Sequence, residues 1–185
     1  MNKTVLITGA NAGIGKETAR QLALKSETEL IYLACRNRSK AEAAKKELEG
    51  LTAKSIFRIV DFDVTQPQGV KQLVAGLNAI DAVIMNAGGT GGKTPSRLTS
   101  QGMTQLAASN LLGHVALLDE LISQKKLRNV ALFASSEAAR GISKMGMHSP
   151  KMEDNSVNEF KSVFNGKKFG SNFDPMQVYA WVKYG

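Results

Sequence analysis

The chain has a single cysteine, Cys35, so no disulfide can form within it, and a reducing compartment is the setting this suggests. It has no run of about 18 apolar residues, the length a membrane-spanning helix needs. Its first apolar strand starts almost at Met1, which leaves no room for a leader peptide, so a soluble, cytoplasmic protein is expected. It has no internal repeat and no low-complexity tract. Nor does it have a block of one charge. The formal charge of +8 could point to nucleic acid, yet lysines and arginines are mixed with acids throughout. "KAEAAKKELE" is the pattern of a solvated helix face with Glu/Lys pairs at helical spacing. Nucleic-acid binding is therefore not expected, and no metal site is expected either. What is present is 185 residues, 43% of them hydrophobic, enough for one domain with a sizeable core.

Strand and helix signals alternate along that domain. Val5-Leu6-Ile7-Thr8 is apolar or β-branched on both faces, as a strand buried on two sides of a parallel sheet reads. After it, Ile14, Thr18, Leu22 and the alanines between them recur at helical spacing. A second strand is expected at Thr28–Cys35, then a helix marked by a Ser39-x-x-Glu42 capping box and by Gly50 past its end. A third strand follows at 55–64, a short helix after Pro67, a fourth strand at 81–88, a long helix over 98–124 and a fifth strand at 129–136. Strands separated by helices imply right-handed crossovers and a doubly wound parallel α/β sheet. From 141 to 175 the regular pattern fades into Gly, Ser, Asn, Lys and Met. Phe160, Phe164, Phe169 and Phe173 lie in this stretch, which reads as a wall or lid over a substrate pocket.

Polar residues collect where the strands end, and in open α/β sheets ligands bind outside those ends. Strand one runs into Gly9, Gly13 and Gly15 in the pattern Thr-Gly-x-x-x-Gly-x-Gly. Glycine lets another surface lie against the main chain, and the N–H groups at a helix start favour an anion such as pyrophosphate. A bare glycine turn would read the same way, but the motif's required context of strand before and helix after is met. Strand three ends in Asp63-Val64, strand four in Asn86-Ala87-Gly88 and strand five in Ser135-Ser136. Asn110 sits among apolar neighbours in the long helix. Tyr179 and Lys183 in "YAWVK" are four apart, on one face of a helix. An ammonium beside a phenol favours the phenolate, which suits proton transfer at a carbinol oxygen. A serine hydroxyl at a neighbouring strand end could hold that oxygen.

Together these residues resemble the short-chain dehydrogenase/reductase family, over essentially the whole sequence. "TGANAGIG" is similar to the family's cofactor turn, "NAG" at Asn86 to Gly88 to its strand-four signature, and Asn110, Ser136, Tyr179 and Lys183 to its catalytic tetrad, in chain order. "TGANAGIGKETA", "ACRN" and "SNLLGH" look most like the retinol dehydrogenase-like branch. The resemblance implies a Rossmann fold and interconversion of an aldehyde or ketone with its alcohol. It makes Tyr179 the proton donor or acceptor, with Lys183 favouring its phenolate and holding the nicotinamide ribose. Ser136 steadies the substrate oxygen, and Asn110 supports a water that relays protons to Lys183. Gly9, Asn11, Gly13, Ile14 and Gly15 form the coenzyme turn, Asp63 and Val64 contact adenine, and Asn86, Ala87 and Gly88 line the ribose and nicotinamide side. A non-catalytic NADP(H)-binding sensor or scaffold of the same fold is the alternative, and the intact tetrad argues against it. A homo-oligomer is compatible with the resemblance.

An acidic residue after strand two would suit the ribose of NAD. This chain has Arg36, Asn37 and Arg38 there, groups suited to a 2′-phosphate, so NADP(H) is expected over NAD(H). In two respects the sequence departs from the family pattern. Tyr179 lies 43 positions beyond Ser136, far more than is usual, so an inserted segment is expected to shape specificity. Relatives also continue well past the tetrad lysine, so further sheet and pocket elements are expected beyond the sequence given.

Overall fold

The computed structural model describes residues 3–184. Five strands, β1 (Thr4–Thr8), β2 (Leu30–Cys35), β3 (Phe57–Asp61), β4 (Ile80–Met85) and β5 (Leu127–Phe133), alternate with helices α1 (Gly13–Ala23), α2 (Arg38–Thr52), α3 (Val70–Ala75), α4 (Gln105–Ala107) and α5 (Gly113–Ser123). Helices α6 (Val157–Phe164) and α7 (Pro175–Tyr184) follow. The residues fall into two compact units. One holds the chain up to Ala87 together with His114–Ala134, and the other holds Gly88–Gly113 and the chain from Ser135 on.

The first unit carries a five-stranded sheet in the order β3-β2-β1-β4-β5, and every pairing in it is parallel. This is the doubly wound, Rossmann-like arrangement. The order reverses between β1 and β4, the position at which open α/β sheets take their ligands. Alternate strand residues point to opposite faces. Val5 and Ile7 join Ile31, Leu33, Ala19, Ala41 and Leu48 on one side, while Leu6 joins Val83, Val74, Leu117 and Leu121 on the other. Each fully buried aliphatic side chain contributes about 1.5–3 kcal/mol.

Helix α1 turns Gly15, Ala19 and Ala23 inward; of the expected stripe Ala19 lies in the core and Leu22 packs against it, while Ile14 is 79% exposed. Small residues let the helix axis approach the sheet, and this outweighs the larger apolar stripe. Helix α2 begins earlier and ends later than its expected marks. The Asn37 side chain, not Ser39, caps it by accepting from the Lys40 N–H at 2.9 Å. Ala53, in a left-handed conformation, ends it beyond Gly50.

In the second unit the helix expected from Leu98 begins at Gln105, capped by the Thr104 hydroxyl, which accepts from the Ala107 N–H. Leu98 is instead bridged to Thr104. Residues Ala108–Leu112 then form a π-helical segment. The 141–175 stretch is also more regular than expected, since it contains α6. Phe164, Phe169 and Phe173 pack around Leu106, Val178 and Val182, and Phe169 meets the Trp181 ring edge to face at 6.1 Å.

Candidate functional site

The expected coenzyme residues belong to the first unit, apart from Gly88, and the expected tetrad belongs to the second. The glycines of the coenzyme turn serve different purposes. Gly9 takes φ +67°, and a Cβ there would meet the Ala87 Cα at 3.0 Å. A Cβ on Gly15 would lie 2.5 Å from the Gly9 carbonyl oxygen and 2.6 Å from Asn86 Nδ2. These two keep β1, α1 and the end of β4 close together. Gly13 takes φ +52° with open space around its Cβ position, so it is the point where another molecule can lie against the backbone. The start of α1 has no side-chain cap, which leaves the positive end of its dipole to an external anion.

The rim of this turn holds the other candidates. The Cys35 thiol, which the sequence offered only as a disulfide count, is pushed up in pKa by burial, while hydrogen bonds from the backbone N–H groups of Ala10 and Asn11 oppose that shift. It therefore sits against the turn. Arg36 is exposed at the same corner. Arg38 is engaged by Asp61 at 2.8 Å and Glu42 at 3.2 Å, and the Asn37 carboxamide oxygen is spent on the α2 cap. Asp63 accepts from the backbone N–H and the hydroxyl of Thr65, and Val64 packs into the core. Asn86 donates from Nδ2 to the Thr8 carbonyl at 3.1 Å.

In the second unit, Asn110 is wholly buried. Its side chain mimics a peptide: Nδ2 donates to the Gly89 carbonyl at 2.6 Å and Oδ1 accepts from the Gly89 N–H at 3.0 Å. Nδ2 also donates to the Leu106 carbonyl. Asn110 lies within the π-helical segment Ala108–Leu112. Gly88 is the meeting point. A Cβ on it would press on Asn110 Oδ1 and lie 3.7 Å from Lys183 Nζ.

Lys183 is buried on α7, and burial lowers its pKa to about 8. Its Nζ lies 5.8 Å from the centre of the Tyr179 ring one turn earlier. Ser136 begins a short 3₁₀ turn, and its hydroxyl accepts from the Ala138 N–H at 3.2 Å. Ala138 packs with Ala180 and Tyr179. The second unit thus brings Asn110 and Lys183 together at Gly88 and draws the turn of Ser136 against the helix of Tyr179. Ser135 is exposed beside it.

Other contributors were not singled out from sequence. Glu159 accepts from the backbone N–H groups of Glu153, Asp154 and Asn155 and from Lys168 Nζ, and the backbone hydrogen bonds lead in holding its carboxyl down to about 2. Lys168 also lies over the Trp181 ring at 4.9 Å. This chain of contacts ties the 141–175 segment to α7. Thr8 and His114 are a further pair, buried and in contact at 3.1 Å. Among the described residues no cluster of His, Cys, Asp or Glu could hold a metal ion, and no helix is long and apolar enough to cross a membrane.

Comparison with known proteins gives the family. The short chain dehydrogenase family profile matches residues 3–148. Human retinol dehydrogenase 13 is 34% identical over 128 residues, 67% of this chain and 38% of that protein. Human retinol dehydrogenase 12 is 33% identical over 156 residues, 82% of this chain and 48% of that protein. The chain therefore spans less than half the length of these relatives. The crystal structure of an uncharacterized protein from Mycobacterium paratuberculosis superposes with a TM-score of 0.72 at 26% identity, covering 98% of this chain and 57% of that one. On that profile and these relatives the chain belongs to the short-chain dehydrogenase family, and within it is similar to the retinol dehydrogenase-like branch.

Proposed function

We propose that this chain carries the coenzyme-binding and proton-transfer parts of an NADP(H)-dependent oxidoreductase that interconverts an aldehyde or ketone with its alcohol. The observation that carries the reading is the convergence of Asn110 and buried Lys183 at Gly88, with Tyr179 one helical turn from Lys183. The coenzyme fits the residues present. Gly13 offers open backbone, α1 an uncapped N-terminus for the pyrophosphate, and Arg36 a cation for a 2′-phosphate. Asn86, Ala87 and Gly88 would line the ribose and nicotinamide, with Asp63 and Val64 toward the adenine. When bound, the nicotinamide supplies or accepts the hydride.

The chain's own residues manage the oxygen. In reduction the Tyr179 hydroxyl gives its proton to the carbonyl oxygen as that oxygen gains negative charge, and in oxidation the phenolate takes the alcohol proton. The Ser136 hydroxyl donates to the same oxygen, while one of its two acceptor positions is held by the Ala138 N–H. Lys183, as ammonium, favours the phenolate and holds the ribose hydroxyls. Asn110 fixes the Gly89 backbone and supports the proton relay to Lys183. The segment from 141 to 175 forms a substrate-pocket wall. The names of the relatives make a retinoid alcohol or aldehyde the first substrate to try.

The test measures turnover and coenzyme dissociation constants for the parent and Tyr179→Phe over a panel of aldehydes and ketones. Tyr179→Phe keeps the ring and removes the proton, so turnover should fall by about 10²–10⁴-fold with NADPH affinity retained. Unchanged turnover in this variant would refute the mechanism. A parent that binds NADPH yet reduces nothing would favour a sensor.

A further inference from the structure

The Thr8 hydroxyl holds the end of β4. It accepts from the backbone N–H of Asn86 at 2.9 Å and from that of Ala87 at 2.9 Å. A hydroxyl has two acceptor positions and one proton to give, so both acceptor positions are used. Its proton must then point to an acceptor, and two are near: His114 Nε2 at 3.1 Å and the Ile84 carbonyl at 3.5 Å. A proton on Nε2 would face an oxygen with no lone pair left to receive it, so the shorter contact is satisfied only when Nε2 is bare. Thr8 and His114 are both essentially without solvent exposure, at 0% and 1%. Bulk water therefore offers no substitute partner.

We infer that His114 is a positioning residue, whose neutral Nδ1–H tautomer takes the Thr8 proton at Nε2 and thereby sets the hydroxyl that fixes the Asn86-Ala87 backbone. The effect reaches the glycine turn, because the Asn86 side chain is held between the Thr8 carbonyl and the Cβ-less face of Gly15. The inference rests on the reading of this strand end as the coenzyme's edge. A route from His114 to this strand end runs through the Thr8 hydroxyl. A packing role alone would be served by any ring of similar shape, since His114 meets Phe133 edge to face at 5.6 Å.

Two variants separate these roles. His114→Phe keeps the ring and removes the acceptor, and His114→Gln loses the ring but can present an oxygen near the Nε2 position. Leaving the buried hydroxyl proton only the more distant Ile84 carbonyl should weaken NADPH binding about tenfold in His114→Phe, and His114→Gln should recover most of that loss even where its melting temperature is the lower of the two. Amide exchange at Asn86 and Ala87 should follow the same order, with His114→Phe fastest. In a Thr8→Val background, His114→Phe should add nothing to either readout. Nitrogen NMR of the parent should show a bare Nε2 on His114, distinguishable from the exposed His148, the chain's other histidine. A protonated Nε2, a His114→Phe variant with parental exchange at Asn86 and Ala87, or an undiminished effect in the Thr8→Val background would overturn the inference. If the parent binds neither NADPH nor NADH, the functional reading falls, while the NMR and exchange results still decide what His114 does.

Discussion

Lys183 is a cation that the fold withdraws from water, and its lowered pKa of about 8 has two consequences. The first concerns binding. As pH rises through about 8 the ammonium is lost, so NADPH affinity should fall across that range in the parent and stay flat in Lys183→Met. Equal pH profiles for the two proteins would remove Lys183 from the ribose contact. The second concerns stability. The unfolded lysine keeps its proton to its ordinary value of 10.5, so between about 8 and 10.5 the unfolded chain binds more protons and stability rises with pH. Lys183→Met should melt higher than the parent at pH 7, and the gap should narrow by pH 10. Arg36 yields a separate expectation, because Arg38 is already held by Asp61 and Glu42. Arg36→Asp should shift the NADPH-to-NADH affinity ratio by about 1.5–3 kcal/mol, the worth of one charge-assisted hydrogen bond. A ratio unchanged on titration would place the 2′-phosphate elsewhere. Tyr179 and Lys183 were legible because their partnership is local, four residues on one helix. The partnerships Thr8–His114 and Asn110–Gly89 span 106 and 21 residues, and no local spacing encodes them.

The element that sequence reading missed is α6, and the miss is instructive about caps. Ser39-x-x-Glu42 has the form of a capping box, yet Asn37 two residues earlier already caps α2. Ser156-x-x-Glu159 has the same form and does open a helix, with the Ser156 hydroxyl accepting from the Glu159 N–H at 3.0 Å. Eight residues among glycines and lysines carry too little periodicity to stand out, and so short a helix depends on tertiary packing. The π segment was illegible for a different reason. A π segment is rare and is confined to a single turn, so no propensity in a single sequence announces it. Glu159 makes α6 testable. Its carboxyl is held near 2 against an ordinary 4.5, so its contribution is complete above about 4.5 and is lost as pH falls toward 2. Parent and Glu159→Gln should therefore differ in melting temperature at pH 6 and converge near pH 2. A difference that does not depend on pH would mean that the carboxylate is not what holds the 153–155 backbone.

Across the whole molecule, the sheet was the most legible feature, since strands buried on both faces read as apolar runs such as Leu30–Cys35, with helices between them. The strand order β3-β2-β1-β4-β5 was not legible, because crossover handedness fixes the hand of each connection and not which strands become neighbours. Burial by strand was less predictable. "NVALFASS" reads like another interior strand, but β5 alternates little, and Leu132 and Phe133 are 52% and 40% exposed. Among the described residues β5 pairs with β4 alone. Leu132 and Phe133 set exposed apolar surface along that strand, and contiguous apolar surface favours association with more of its kind. In solution the 185-residue chain should consequently behave as a sticky particle whose light scattering climbs with concentration. Leu132→Lys, which sets a charge on that margin, should keep it monodisperse, and scattering that ignores the lysine would mean that the chains adhere through some other surface.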